Sequence, residues 1–411
     1  MNNPYGPPGG GGYGQPPRPS YPQPPSYPQA AQSAQGTGYG MPPYMQPPPA
    51  AVALPNPERT RRVVGAVLFS VLVLVGLALN VFFYLSSIFL SKHPDRALEA
   101  VFVGGALALF AVLFYIPLPA IIDRFDPEPW WCLAMAFVWG AVVATGFAGL
   151  FNTLIGDVVT GVLGKKLGLL VTVSCVAPFC EEFFKGLAVL GAFYFLRREF
   201  DGVVDGIIYA TFTALGFACI ENVQYYAHAQ AAHALTFTFL LRGVLAPWGH
   251  PLYTSMTGIG FGVSRESDSP VVRVLAPIVG YLGGVTLHAI WNFVPTALSM
   301  AGYPALFFPV LALWLLFVAA FFVIILVLVA RKGRVIRDHL KDEVLLGNLS
   351  QDEVELICSP VGRLRCTFSW RGATGRKFIA AGARLALSKW HTARAMRGSK
   401  KTVSADFIVP M

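Results

Sequence analysis

Residues 167–196 read LGLLVTVSCVAPFCEEFFKGLAVLGAFYFL, an apolar run bounded by Lys165 and Lys166 on one side and by Arg197 and Arg198 on the other. A helix of about 20 residues crosses a bilayer, so this run is long enough to span. Yet Glu181 and Glu182 stand near its middle, where an ionised side chain costs about 2.5–3.5 kcal/mol on insertion scales. The length decides the fold, and the acids point to a site. Lys185 follows the two glutamates by four and three residues, which places it between them on one helix face. It neutralises one carboxylate and leaves the other over. Pro178, just upstream, bends the helix and frees backbone groups, as happens where a span borders a polar cavity.

The rest of the chain agrees with a membrane solvent. Of its 411 residues 55% are hydrophobic and 13% charged, with a mean hydropathy of +0.56, whereas soluble domains carry about a quarter charged residues. Apolar runs of spanning length fall near 63–90, 99–122, 131–153, 167–196, 203–228, 235–263, 271–296 and 304–330. The expected fold is therefore an all-α polytopic membrane protein of about eight transmembrane helices. The run at 235–263 is interrupted by Pro247, Trp248, Gly249, His250 and Pro251 and contains Arg242, a pattern that reads as a broken helix lining a cavity. An even number of spans puts both ends on one side. Arg59, Arg61, Arg62, Arg124, Arg197, Arg198, Arg265, Arg331, Lys332 and Arg334 fall there, against Lys92, Arg96, Lys165 and Lys166 opposite. That bias predicts a multi-pass protein of the cell membrane with both termini cytoplasmic.

Three regions are expected. Residues 1–57 are rich in Pro, Gly, Tyr and Gln, as in PYGPPGGGGYGQPPRPSYPQPPSYPQ at 4–29, and lack the aliphatic residues of a core; they read as a disordered cytoplasmic tail, with polyproline segments that a partner domain can recognise. Residues 58–330 form the membrane domain. Residues 331–411 form a small basic cytoplasmic region with 16 basic and 7 acidic residues, so nearly all of the net charge of +9 sits there. Anionic lipid beside the last span accounts for this excess, and no nucleic acid is needed. Within it, Ser350 to Glu353 has the spacing of a capping box ahead of a short helix. The six cysteines form no CxxC pair and predict neither disulfides nor a zinc knuckle. Small residues one turn apart, Gly202 with Gly206, Gly258 with Gly262 and Gly280 with Gly284, mark close helix packing.

Other spans repeat the anomaly of the first. Glu221 and Asn222 lie within GFACIEN (216–222), His250 opens HPLYTSMTG (250–258), and HAIWN (288–292) places His288 and Asn292 one turn apart on one face. Three glutamates and two histidines in successive spans form a candidate site rather than scattered core residues. They carry the chemistry of peptide hydrolysis: a carboxylate to take a proton from water and donors to stabilise the tetrahedral oxyanion. Neither GxSxG nor HExxH is present, so water is the expected nucleophile. Ion or proton transport also places acids and histidines at midplane, but no internal repeat of the acidic motifs accompanies them. A catalytically idle scaffold is a third reading, set against the full set of acids, amides and histidines.

In order, DPEPW (126–130), APFCEEFFK (177–185), DGIIYA (205–210), GFACIEN, HPLYTSMTG and HAIWN closely resemble the PrsW family of intramembrane proteases, within the superfamily of CAAX-processing and bacteriocin-processing enzymes. The resemblance covers roughly residues 123–295. It implies cleavage of a membrane-anchored protein, an anti-sigma factor being the best-known substrate class. By residue it implies Glu181 as general base, Glu182 and Lys185 as its orienting partners, Glu221 as a holder of the water, His288 and Asn292 as oxyanion donors, and His250 as a further ligand or donor. The family has been described both as metal-dependent and as glutamate-dependent. His250, His288 and Glu221 are an acceptable zinc set with Glu181 as base, but their spacing does not show that they converge. The expectation adopted is carboxylate-activated water without an obligatory metal.

Overall fold

The computed structural model describes residues 57–122, 125, 127–359, 361–367 and 372–397. The disordered tail expected over 1–57, apart from Pro57, lies outside them, as do Arg124, Asp126 and the chain beyond 397. Among the described residues every regular element is helical: α1 (Pro57–Phe89), α2 (Pro94–Tyr115), α3 (Trp130–Leu163), α4 (Lys165–Phe195), α5 (Val203–Ala231), α6 (Leu235–Phe239), α7 (Gly249–Glu266), α8 (Pro270–Met300), α9 (Phe307–Asp338), α10 (Gln351–Cys358) and α11 (Gly372–Arg397). Seven helices are long and apolar enough to cross a membrane, and they coincide with seven of the eight expected runs.

The remaining run, 235–263, is broken. It consists of α6, a π-helical turn at Leu240–Leu245 and then α7. Pro247 disfavours helical geometry in the residue before it, and Ala246 leaves the helix with φ −122° and ψ 32°. A second π turn, Thr172–Val176, interrupts α4 directly ahead of Pro178. The proline offers no N–H to the carbonyl four residues back and its ring crowds it, so the extra residue in the turn relieves both problems.

Helix α5 is the axis of the bundle and is buried along nearly its whole length. It packs against α2, α3, α4 and α7. Small residues permit this: a Cβ on Gly206 would lie 2.1 Å from the Gly258 carbonyl oxygen, and one on Gly258 would lie 2.2 Å from that of Gly206. The two backbones therefore touch where α5 crosses α7. Large side chains on α1, α2, α8 and α9, among them Leu74, Phe102, Val274 and Leu316, face outward, where lipid solvates them.

Beyond the membrane, α9 continues to Asp338 and α10 and α11 fold back onto its end. Ile336, Leu340, Ile357, Ala383 and Leu387 share one apolar cluster. The expected capping box forms: Ser350 Oγ accepts from Glu353 N at 3.2 Å, and Glu353 Oε2 accepts from Ser350 N at 2.8 Å. The turn between α4 and α5 anchors α11. There Asp201 Oδ2 meets His391 Nε2 at 2.9 Å, while Asp205 Oδ2 accepts the backbone N–H groups of Asp201 and Gly202, each at 2.9 Å.

Candidate active site

Four separate helices bring the polar residues together. Glu181, Glu182 and Lys185 come from α4, Glu221 from α5, His250 and Thr254 from α7, and His288 from α8. Glu182 and Lys185 are fully buried, so each must find partners inside the protein. Glu182 Oε1 accepts from Lys185 Nζ at 2.6 Å and meets His288 Nδ1 at 3.0 Å, and its Oε2 accepts from Thr254 Oγ1 at 2.8 Å. Both oxygens of Glu182 are thus engaged. The Lys185 ammonium also lies 3.1 Å from His250 Nδ1 and 4.1 Å from the centre of the Phe217 ring.

Glu221 is paired from the other side. Its Oε2 meets Arg242 Nη2 in an ion pair and lies 2.9 Å from His250 Nε2. Arg242 comes from the π turn of the broken span, donates from Nε to Asn222 Oδ1 at 2.7 Å, and stacks 3.6 Å above the Tyr225 ring. A lone cation in an apolar run is costly, and this one is discharged by a carboxylate, an amide and an aromatic face.

Glu181 is left differently. Its Oε1 accepts a long 3.4 Å hydrogen bond from Asn152, while its Oε2 is buried without a hydrogen-bond partner. Lys185 Nζ and His288 Nε2 stand 3.8 Å and 3.9 Å from that oxygen, beyond hydrogen-bonding distance. The count is simple: three carboxylates face two cations, Lys185 holds Glu182, Arg242 holds Glu221, and Glu181 is the remainder. A cavity of about 270 Å³ adjoins the group, with Glu221, Arg242, His250, His288 and Asn292 in its lining.

Asn292 is tied elsewhere. Its Nδ2 donates to the Val173 carbonyl at 3.0 Å, within the π turn ahead of Pro178, and so fixes α8 to α4. The protonation of His288 sets its chemistry. A neutral ring that donates Nδ1–H to Glu182 presents a lone pair at Nε2, whereas an imidazolium presents a second donor there.

The donor set fits a metal ion. One donor atom each from Glu181, His250 and His288 lie within 4.8 Å of one another. The unpartnered Glu181 Oε2 is among the few buried oxygens left over, and Glu182 braces the far nitrogen of His288 in the way carboxylates brace zinc-bound histidines. The carboxylate grouped with the histidines is thus Glu181, where the sequence reading had set Glu221; Glu221 is drawn off by Arg242.

A family profile described as PrsW family intramembrane metalloprotease matches residues 128–328. That segment, just under half of the chain, is similar to the PrsW family. The protein designated Protease PrsW in Oceanobacillus iheyensis is 26% identical over 195 residues, covering 47% of this chain and 82% of that one. Its Bacillus subtilis namesake is 27% identical over 215 residues, covering 52% and 91%, and that of Geobacillus kaustophilus is 26% identical over 192 residues, covering 47% and 79%. No solved structure matches the chain. By this similarity the multi-pass membrane protein is an intramembrane protease. The matched segment contains every residue of the candidate site, while α1, α2, α10 and α11 fall outside it.

Two PrsW motifs serve the scaffold instead of the cluster. Glu128 of DPEPW accepts from the Tyr209 hydroxyl of DGIIYA at 2.6 Å, and Asp205 of DGIIYA caps the turn described above. Thr254 and Asn152 are members of the site that sequence reasoning missed. Thr254 had a signal, since it lies one turn after His250; Asn152, on a different span from the three glutamates, had none.

Proposed function

We propose that this PrsW-like protease hydrolyses a peptide bond of a membrane-anchored protein with water activated by Glu181. The observation that carries the reading is the unpaired Glu181 Oε2 beside two carboxylates that are each held by a cation. Glu181 takes the proton of the water, the water oxygen attacks the scissile carbonyl, and Glu181 returns that proton to the amide nitrogen as the C–N bond breaks. His288, neutral at rest and charged once the substrate is bound, donates from Nε2 to the oxyanion that forms. Lys185 and Thr254 keep Glu182 in place, Arg242 keeps Glu221 from competing for the proton, and Asn292 holds α8 in register through Val173.

A second reading is favoured by the grouping of Glu181, His250 and His288. These three would hold a zinc ion, which supplies a Lewis acid for the water and the carbonyl when bound. His288 is then neutral, with its Nε2 lone pair turned to the metal. The readings therefore differ in the proton on one ring nitrogen.

The substrate class that the sequence resemblance implies is a single-pass anti-sigma factor, and both termini of the protease lie in the cytoplasm. Comparison of membrane proteomes from cells with the wild-type protein and with Glu181→Gln tests the reading. Shortened single-pass proteins should be present in the first and full-length in the second. Identical proteomes from the two strains, with both proteins inserted, reject it.

A further inference from the structure

A larger cavity lies away from the candidate site and shares no lining residue with the cavity that adjoins it. It is a groove of about 730 Å³ between α1, α3 and the last turns of α4. Its walls are apolar, built from Leu68, Leu72, Met135 and Leu190, and Leu68 and Leu190 are about half exposed on their outer side. Few residues in the apolar window of α1 are fully buried, although the helix touches the bundle at Gly65 and Gly76, so most of its apolar surface borders the groove or the lipid. Close-packed matter fills such a space in a bilayer, because void surfaces forfeit dispersion contacts.

The mouth of the groove is charged. Arg61, Arg62, Arg197 and Arg198 line it against a single acid, Glu199. Their meeting is a consequence of one helix contact: a Cβ on Gly65 would lie 2.8 Å from the Phe195 ring. That contact brings the start of α1 beside the end of α4. Arg61 and Arg62 sit one turn before Gly65, and Arg197 and Arg198 follow directly after Phe195, so two pairs from distant parts of the sequence share one rim. Trp131, 44% exposed, adds the amphipathic ring found at headgroup level in membrane proteins.

We propose that this groove is a binding site for an anionic phospholipid, its acyl chain lying along α1 and α4 and its phosphate held by the arginine rim. Charge complementarity selects the ligand. A zwitterionic lipid satisfies the apolar walls equally well, but it brings its own cation to a rim that already carries four. The site is about 13 Å along α4 from Glu182, measured to Gly191 at 1.5 Å per residue, and is separate from the catalytic water.

Gly191 offers a direct test, because a Cβ placed there meets no atom within 4 Å and points into open groove. The full-length protein is reconstituted in phosphatidylcholine vesicles that contain either a phosphatidylglycerol or a phosphatidylcholine with a photoreactive acyl chain. After illumination, labelled peptides are mapped by mass spectrometry. The phosphatidylglycerol probe should label α1 and the end of α4 at least fivefold more than the phosphatidylcholine probe. The preference should vanish in R61Q/R62Q and in R197Q/R198Q, and labelling by both probes should fall in Gly191→Leu. The arginine pairs and the glycine are tested separately, so misfolding of one variant leaves the others informative. Equal labelling by the two probes, or a preference that survives both arginine pairs, overturns the proposal. Displacement of both probes alike by an added single-span peptide also overturns it, by assigning the groove to a helix.

Discussion

Asp201 and His391 are 190 positions apart in the chain, yet their side chains meet at 2.9 Å and join the last helix to the turn that enters α5. The pair is buried. Burial alone raises the Asp201 carboxyl, but Lys332, His391 and Asp205 outweigh it and hold the group well below the usual carboxylate range. A folded-state value below the unfolded one means that the stabilisation is present above the unfolded pKa of about 3.9. It is lost only as the pH falls through the lower folded value. Limited proteolysis should therefore find α11 equally protected at pH 7 and pH 5, and released only in stronger acid. His391→Ala removes a charge-assisted hydrogen bond and should destabilise the docked helix by about 1.5–3 kcal/mol. Wild-type cleavage that already increases at pH 5 contradicts this account.

The two adjacent glutamates should separate by phenotype. Glu181→Gln removes a carboxylate that no cation holds, so the protein keeps its thermal stability and loses about 10²–10⁴ in cleavage rate. Glu182→Gln disturbs contacts to Lys185, His288 and Thr254 and should lose activity together with about 3–5 kcal/mol of stability, as buried pairs do when one partner is removed. Thermal unfolding in detergent, measured beside activity, distinguishes them. Equal stability losses would mean that Glu181 is as structurally bound as its neighbour.

Arg242 and Glu221 should behave as one unit. Arg242→Gln strands a part-buried carboxylate beside Glu181, and Glu221→Gln strands a part-buried cation. Each single change should impair cleavage, and the double change should cost less than the sum of the two by more than about 0.5 kcal/mol in transition-state stabilisation. Additive losses would show that the two residues act apart.

Metal content discriminates the zinc ligand sets. Elemental analysis of purified protein should find any bound zinc lost in Glu181→Gln, His250→Ala and His288→Ala but retained in Glu221→Gln, whose carboxylate belongs to Arg242. Zinc lost in Glu221→Gln and kept in Glu181→Gln would restore the set read from the sequence. Activity that persists after exhaustive chelation favours Glu181 acting alone.

Topology is tested with reporter fusions after Pro57 and after Arg334, which should both report cytoplasm. Opposite signals would mean that the broken span re-enters from the side it left.

Much of this was legible in the sequence because cost was legible. A carboxylate in the middle of a membrane-spanning apolar run demands an explanation, and so Glu181, Glu182, Glu221, His250 and His288 could be picked out span by span. The break at Pro247 was visible for a similar reason, since proline cannot continue a helix. Pairing was not legible. Nothing in one dimension says that Lys185 takes Glu182 rather than Glu181, or that Arg242 reaches Glu221 rather than Glu181, and those two choices together settle which acid is unpaired. Asn292 shows the same limit: its spacing puts it on one face with His288 and the resemblance implied an oxyanion donor, but the carbonyl it meets belongs to a π turn that periodicity does not reveal.

The contact between Gly206 and Gly258 gives the active site a fulcrum. From it Glu221 lies 15 residues along one helix and His250 eight along the other, or about 22 Å and 12 Å at 1.5 Å per residue. Prising the helices apart there by the width of a methyl group turns both as levers and swings their far ends through distances that hydrogen bonds do not tolerate. The most damaging substitutions in this enzyme thus include ones that touch no acid, base or water. Their mark would be a protein that still inserts and folds but whose residues meet slightly out of true.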